Sequence, residues 1–91
     1  MPRTLNKLAA AIISDWGPRA RHPNTAKAYQ LFSMPYVEAM LYLEKISDHY
    51  GMDDAEDIIL RFLTNAGPWR GEVARQVKSE LNQHLKEKSC L

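Results

Sequence analysis

Apolar residues recur at three- and four-residue intervals through most of this chain and nowhere alternate over the length of a strand. That is the period of the α-helix, so each such stretch carries one apolar face that must be buried against another. Leu5, Leu8, Ile12, Ile13 and Trp16 share a face of a first helix, which begins after Thr4, a good N-cap residue, and stops at Gly17-Pro18. A short helix is expected from Asn24 through Ala28 and Leu31. Ser33-Met34-Pro35 then opens a longer one, with serine as cap and proline in the first turn, where its missing N–H costs nothing. Its apolar face is Val37, Met40, Leu41, Leu43, Ile46 and Tyr50, and Gly51 is placed to end it.

Asp53 and Glu56 have capping-box spacing for a third helix, with Ile58, Ile59, Phe62 and Leu63 on its core face and Asn65-Ala66-Gly67-Pro68 as its stop. A last helix resumes within Trp69 to Glu72 and runs to about Lys86, with Val73, Val77, Leu81 and Leu85 at four-residue spacing and Ala74 beside them. The expected fold is all-α, a small bundle of three to four helices forming a single domain over residues 1–91. A basic loop is expected over 17–24, a Gly-Pro turn over 65–71 and a flexible tail over 87–91.

With 91 residues there is room for one core. A domain of this size buries only about 60–65% of the surface its unfolded chain exposes, which leaves little room for an enclosed catalytic cleft. Binding is therefore the expected activity, and no enzyme is expected. An apolar fraction of 45% with 25% charged residues is that of a folding globule, not a disordered chain. The apolar run that begins at Leu5 is too short to span a membrane and is not followed by a signal-cleavage pattern, which implies a cytoplasmic protein with no membrane partner. The single cysteine, Cys90, excludes an internal disulfide and a multi-cysteine metal site, and reads as an exposed tail thiol.

The net charge is +1, but it is unevenly spread, with +4 over residues 1–35, −6 over 36–60 and +3 over 61–91. An acidic belt between two basic segments suits a protein partner of mixed charge better than a bare phosphate backbone. His22, His49 and His84 fall in different segments with no metal-ligand spacing, so neither a metal nor another cofactor is expected. Ser47, Asp48 and His49 are consecutive, and consecutive side chains of a helix point in different directions and cannot relay a proton. The Asp53, Asp54, Glu56 and Asp57 cluster is accounted for by the dipole of the helix it opens, and lacks the spacing of a calcium loop. Arg70, Arg75, Gln76, Lys78 and Asn82 on the last helix are residue types that read bases, so a small helix-turn-helix-like DNA-binding regulator is the alternative. The connection before that helix exceeds the three or four residues of the compact motif, and Glu72 and Glu80 oppose phosphate, so no specific nucleic acid is expected.

Both tryptophans, Trp16 and Trp69, stand beside a Gly-Pro pair at a helix end. Two readings are open. Either they fold back as staples over the bundle ends, or Gly67-Pro68-Trp69 is a presented loop in which glycine admits a partner's backbone and tryptophan fills its pocket. The second is taken forward, with Gly67, Pro68, Trp69 and Arg70 as the partner-binding loop and Arg19 and Arg21 as secondary candidates. An exposed Gly67–Pro68 bond is also what a prolyl isomerase needs.

In overall pattern, through the stretch LRFLTNAGPWRGEVARQVKSELNQHL (residues 60–85) and over roughly residues 30–88, the chain resembles the short all-helical accessory proteins of temperate phages, in particular phage anti-RecBCD proteins. The resemblance implies a non-enzymatic host-takeover protein in the host cytoplasm that binds the RecBCD helicase-nuclease and favours phage recombination. It carries no residue-by-residue site and implies no oligomeric state.

Overall fold

Leu5, Leu8, Ala9, Ile12 and Trp16 are buried along one side of the first helix, α1 (Leu5–Arg19), which is the face their spacing demands. The structure is a computed structural model describing residues 3–20 and 26–89. After α1 come a π-helical segment (Ala28–Ser33), α2 (Met34–Met40), two short strands, β1 (His49–Tyr50) and β2 (Asp53–Asp54), then α3 (Ala55–Asn65) and α4 (Glu72–Ser89). The helices enclose one core, and the radius of gyration, 12.3 Å, is close to the roughly 12 Å of a folded single domain of this length. The fold is all-α apart from the hairpin.

Several details of the elements differ from expectation. Helix α1 continues through Pro18 to Arg19, because a proline in the last turn removes one terminal hydrogen bond without interrupting a longer ladder. Its neighbour Gly17 packs closely under Tyr29, where a Cβ would lie 3.2 Å from the hydroxyl. The cap expected at Ser33 is not made: the backbone is already helical there, and the Met34 N–H bonds to the Tyr29 carbonyl in a π turn. Helix α4 runs to Ser89, so residues 87–89 are helical and not a tail, while Cys90, His22 and Asn24 lie outside the described residues.

The largest correction concerns the second long helix, which ends at Met40 and does not reach Tyr50. The Asp48 carboxylate accepts the backbone N–H groups of Glu44 and Lys45, both at 3.0 Å, which organises a turn and competes with continued helix. Those two bonds, Lys45's first, hold the Asp48 carboxyl below the usual aspartate range. The turn is tied to the bundle by Leu5 N–H to Glu44 O at 3.1 Å and Ala55 N–H to Asp48 O at 3.1 Å. Gly51 then serves a hairpin instead of a helix end. It adopts φ +63° at the first central position of the two-residue turn Gly51-Met52, where a II′-type turn requires glycine. The strands pair His49 with Asp54 and Tyr50 with Asp53. The N-cap position of α3 is accordingly Asp54, not Asp53, and its carboxylate pairs with His49 Nδ1 at 2.7 Å instead of capping the helix.

Helix α4 docks mainly on α1. Its buried stripe is Ala74, Val77, Leu81 and His84, while Val73 lies at the surface. A strict four-residue stripe drifts around the helix, and the alternating three- and four-residue stripe that is observed stays on one side. His84 Nε2–H donates to the Arg3 carbonyl at 2.7 Å. The Arg3 guanidinium meets the Glu80 carboxylate at 2.7 Å, and its backbone N–H adds a 2.9 Å bond to the same group. The N-terminal segment is thereby fastened to α4.

Two expected results follow from these contacts. The Ser33 hydroxyl is fully buried and finds no hydrogen-bond partner among the described residues. Ser33→Ala removes that desolvated group and should stabilise the chain by about 1 kcal/mol, raising the melting temperature by about 4–8 °C; a lower melting temperature would contradict this account of the core. The second result is a pH dependence. The hydrogen bond from the Arg3 side chain, chiefly, holds the Glu80 carboxyl below its ordinary value of 4.5. A carboxylate with a depressed folded value stabilises the fold above the unfolded value and loses that contribution as pH falls through the folded one. Because the guanidinium is partly solvated, the contribution is about 0.5–1 kcal/mol. Glu80→Gln should cost that much near neutrality and progressively less below pH 4.5. Urea unfolding across that range checks it, and an equal cost at every pH would exclude the pair as its source.

Candidate functional site

The connection from α3 to α4 turns at Ala66, whose carbonyl accepts the Trp69 N–H at 3.1 Å and brings the tryptophan back over the bundle. The Trp69 ring stacks on Trp16, with centroids 5.6 Å apart and planes 9° from parallel. Phe62 meets both rings edge-on at 6.3 Å, and Tyr29 meets Trp16 edge-on at 5.2 Å. Trp69 Nε1–H donates to an Asp15 carboxylate oxygen at 2.9 Å. The two tryptophans thus share one aromatic cluster, Trp16 from the buried face of α1 and Trp69 from the connection that folds back at Ala66.

That geometry corrects the reading of Trp69 as a presented anchor. Its side chain is 2% exposed, and an indole with a stacked partner and its N–H satisfied belongs to the core. Gly67, Pro68 and Arg70 do lie at the surface, and the Gly67–Pro68 bond is trans. Arg19 closes α1, on the chain that leads to the same cluster, and Arg21 lies outside the described residues.

Lys78 locks the connection in place. Its ammonium donates to the carbonyls of Ala66 at 2.8 Å and Trp69 at 2.7 Å, and it sits 6.0 Å from the centre of the Trp69 ring. Partial burial, and secondarily the charge of Arg70, hold its pKa below that of a free lysine. Beside it opens a hollow of about 310 Å³ lined by Trp69, Arg70, Gly71, Ala74, Arg75 and Lys78. Among the side chains considered for base reading, Lys78 is thus engaged by main-chain carbonyls, and Asn82 donates to the Lys78 carbonyl at 2.9 Å. Arg75 and Gln76 stay exposed. Six residues, Ala66 to Gly71, separate α3 from α4.

A second surface lies at the opposite end of α3, and it includes Leu41 and Tyr50, which the apolar spacing assigned to the face of a helix. Met52 at the hairpin tip is 100% exposed, Tyr42 76% and Tyr50 45%, with Leu41 also at the surface. The two tyrosine rings stack at 5.7 Å and 28°. Asp53 stands opposite Tyr50 in the strand register, on the same face of the hairpin. From Leu41 to Asp57 the chain carries six carboxylates, Glu44, Asp48, Asp53, Asp54, Glu56 and Asp57, against one lysine, Lys45. The patch is apolar and aromatic, with Asp53 beside it, in a strongly acidic stretch of the chain. The signal that would have exposed it is Gly51-Met52 itself, a Gly-X pair between His49-Tyr50 and Asp53-Asp54, which is a hairpin pattern as well as a helix stop.

His49 is turned to Asp54 and the Asp48 carboxylate to two backbone amides, so Ser47, Asp48 and His49 do not form a relay. Among the described residues no three His, Cys, Asp or Glu side chains are grouped to hold a metal ion. No described helix is long and apolar enough to cross a membrane. Neither family models, nor curated proteins, nor solved structures match this chain.

Proposed function

We propose that this is a non-enzymatic binding protein that docks through the hairpin surface onto a basic, partly apolar patch of a host protein. The observation that carries the reading is the stacked Tyr42–Tyr50 pair beside a fully exposed Met52, in the acidic middle of a chain whose other large apolar side chains are mostly buried. Tyrosine and methionine are side chains that anchor interfaces, and an aromatic pair with a carboxylate beside it is complementary to arginine, which stacks on the rings while pairing with carboxylates. The resemblance to phage anti-RecBCD proteins makes RecBCD the partner to try first, with modulation of its helicase-nuclease activity as the consequence.

The experiment is a calorimetric titration of purified RecBCD with the chain, repeated at raised salt. A saturable complex that forms more slowly and more weakly as salt rises is the expected result, because charge complementarity acts chiefly on association and is screened. Lack of any complex with RecBCD removes that partner. A complex insensitive to salt and to substitutions in the hairpin removes the surface.

A further inference from the structure

The hollow at the start of α4 is a separate feature, independent of the hairpin reading. Three cationic side chains, Arg70, Arg75 and Lys78, line one cavity of about 310 Å³, and no carboxylate is among the lining residues. Arg70 and Arg75 make no ion pair or side-chain hydrogen bond with another described residue. Lys78 is held in position by the Ala66 and Trp69 carbonyls, which take two of its three N–H donors and leave the third. Like charges lining one hollow repel one another, and an anion in their midst converts that cost into attraction.

We infer that this cavity binds the phosphate group of a free phosphate or phosphate monoester. Three donors of positive charge around one hollow match a group that carries nearly two negative charges on three terminal oxygens. A carboxylate carries one charge and would leave most of the repulsion in place. A phosphodiester strand spreads single charges along its length and calls for a line of cations, not a cluster, and the rest of the chain opposes such a strand with its acidic hairpin. The guanidinium groups of Arg70 and Arg75 suit bidentate contact, and Lys78 supplies a fixed point charge.

The test follows the Trp69 indole N–H and the Gly71 amide by nuclear magnetic resonance while the full chain is titrated, at constant ionic strength, with inorganic phosphate, phenyl phosphate or a short oligothymidine without terminal phosphates. Phosphate and phenyl phosphate should shift both signals saturably, the first showing that free phosphate suffices and the second that a monoester is accepted. Arg75→Gln and Arg70→Gln, both at exposed positions, should each weaken binding about tenfold or more while leaving the Trp69 indole signal of the unliganded protein in place. Linear, unsaturating shifts with both phosphate probes overturn the proposal. So does an unchanged affinity in the double variant, or tighter binding of the oligonucleotide than of phenyl phosphate, which would assign the cavity to a nucleic-acid strand.

Discussion

Trp69→Ala should destabilise the chain by about 3–5 kcal/mol, the cost of deleting a large buried aromatic and leaving a cavity behind. Domains of this kind are stable by only about 5–15 kcal/mol, so the variant should unfold at far lower denaturant and lie near the limit of folding at physiological temperature. The indole is buried, stacked on Trp16, flanked by Phe62 and hydrogen-bonded to Asp15, and each of these contacts is lost together. Trp69→Phe keeps part of the apolar contact but loses the hydrogen bond to Asp15, and should fall between alanine and wild type. Because Trp16 and Trp69 touch, Trp16→Ala and the double variant should not add: the pair should show a coupling of about 0.5–1.5 kcal/mol. Pro68→Ala supplies the contrast, since Pro68 is exposed on a trans bond and its replacement should stay within about 0.5 kcal/mol. Urea unfolding followed by circular dichroism measures all of these. A Trp69→Ala chain with an unchanged midpoint would place the indole outside the core and restore it as a surface anchor.

The contrast between Trp69 and Met52 shows which parts of this molecule sequence could reveal. Periodicity identified α1 and α3 and their core faces, because Leu5, Leu8, Ile12 and Trp16, or Ile58, Ile59 and Phe62, leave only one side of a helix to bury. It could not say that the two tryptophans meet, since the Trp16–Trp69 stack joins residues far apart in sequence and depends on how α4 lies against α1. Periodicity misled over residues 41–50. Leu43 and Ile46 are buried, as a helix would have them, yet they are buried from a turn. What decides between the two is Asp48, whose carboxylate takes the amides of Glu44 and Lys45, and a side chain bonding back to its own segment leaves no mark in an apolar pattern. The hairpin and its exposed surface follow from that one turn. The hollow at Lys78 was hidden for another reason: a lysine on a helix reads as solvated until the carbonyls of a connection nine and twelve residues earlier are seen to reach it.

Replacing Tyr50 and Met52 together by serine should weaken partner binding by about 2 kcal/mol or more, roughly thirtyfold, with little change in stability. The separation is expected because the two side chains do little for the fold. Met52 is entirely in solvent, and Tyr50 touches Tyr42, another surface ring, so the substitutions open no cavity. Binding is a different matter, since burying a methionine and a tyrosine against a partner removes from water apolar area that the free chain leaves exposed. Asp53→Asn, beside Tyr50 in the register, should act mainly on the association rate and lose its effect at high salt, as a rim charge does. Gly51 must remain glycine in these variants, because its φ of +63° fixes the turn that presents the patch. Calorimetry and stopped-flow association with RecBCD, beside melting curves of each variant, separate the outcomes. If the double variant melts normally and binds as tightly as the parent, the hairpin is not the docking surface. If it melts much lower, the side chains are structural, and the interface assignment fails for that reason instead.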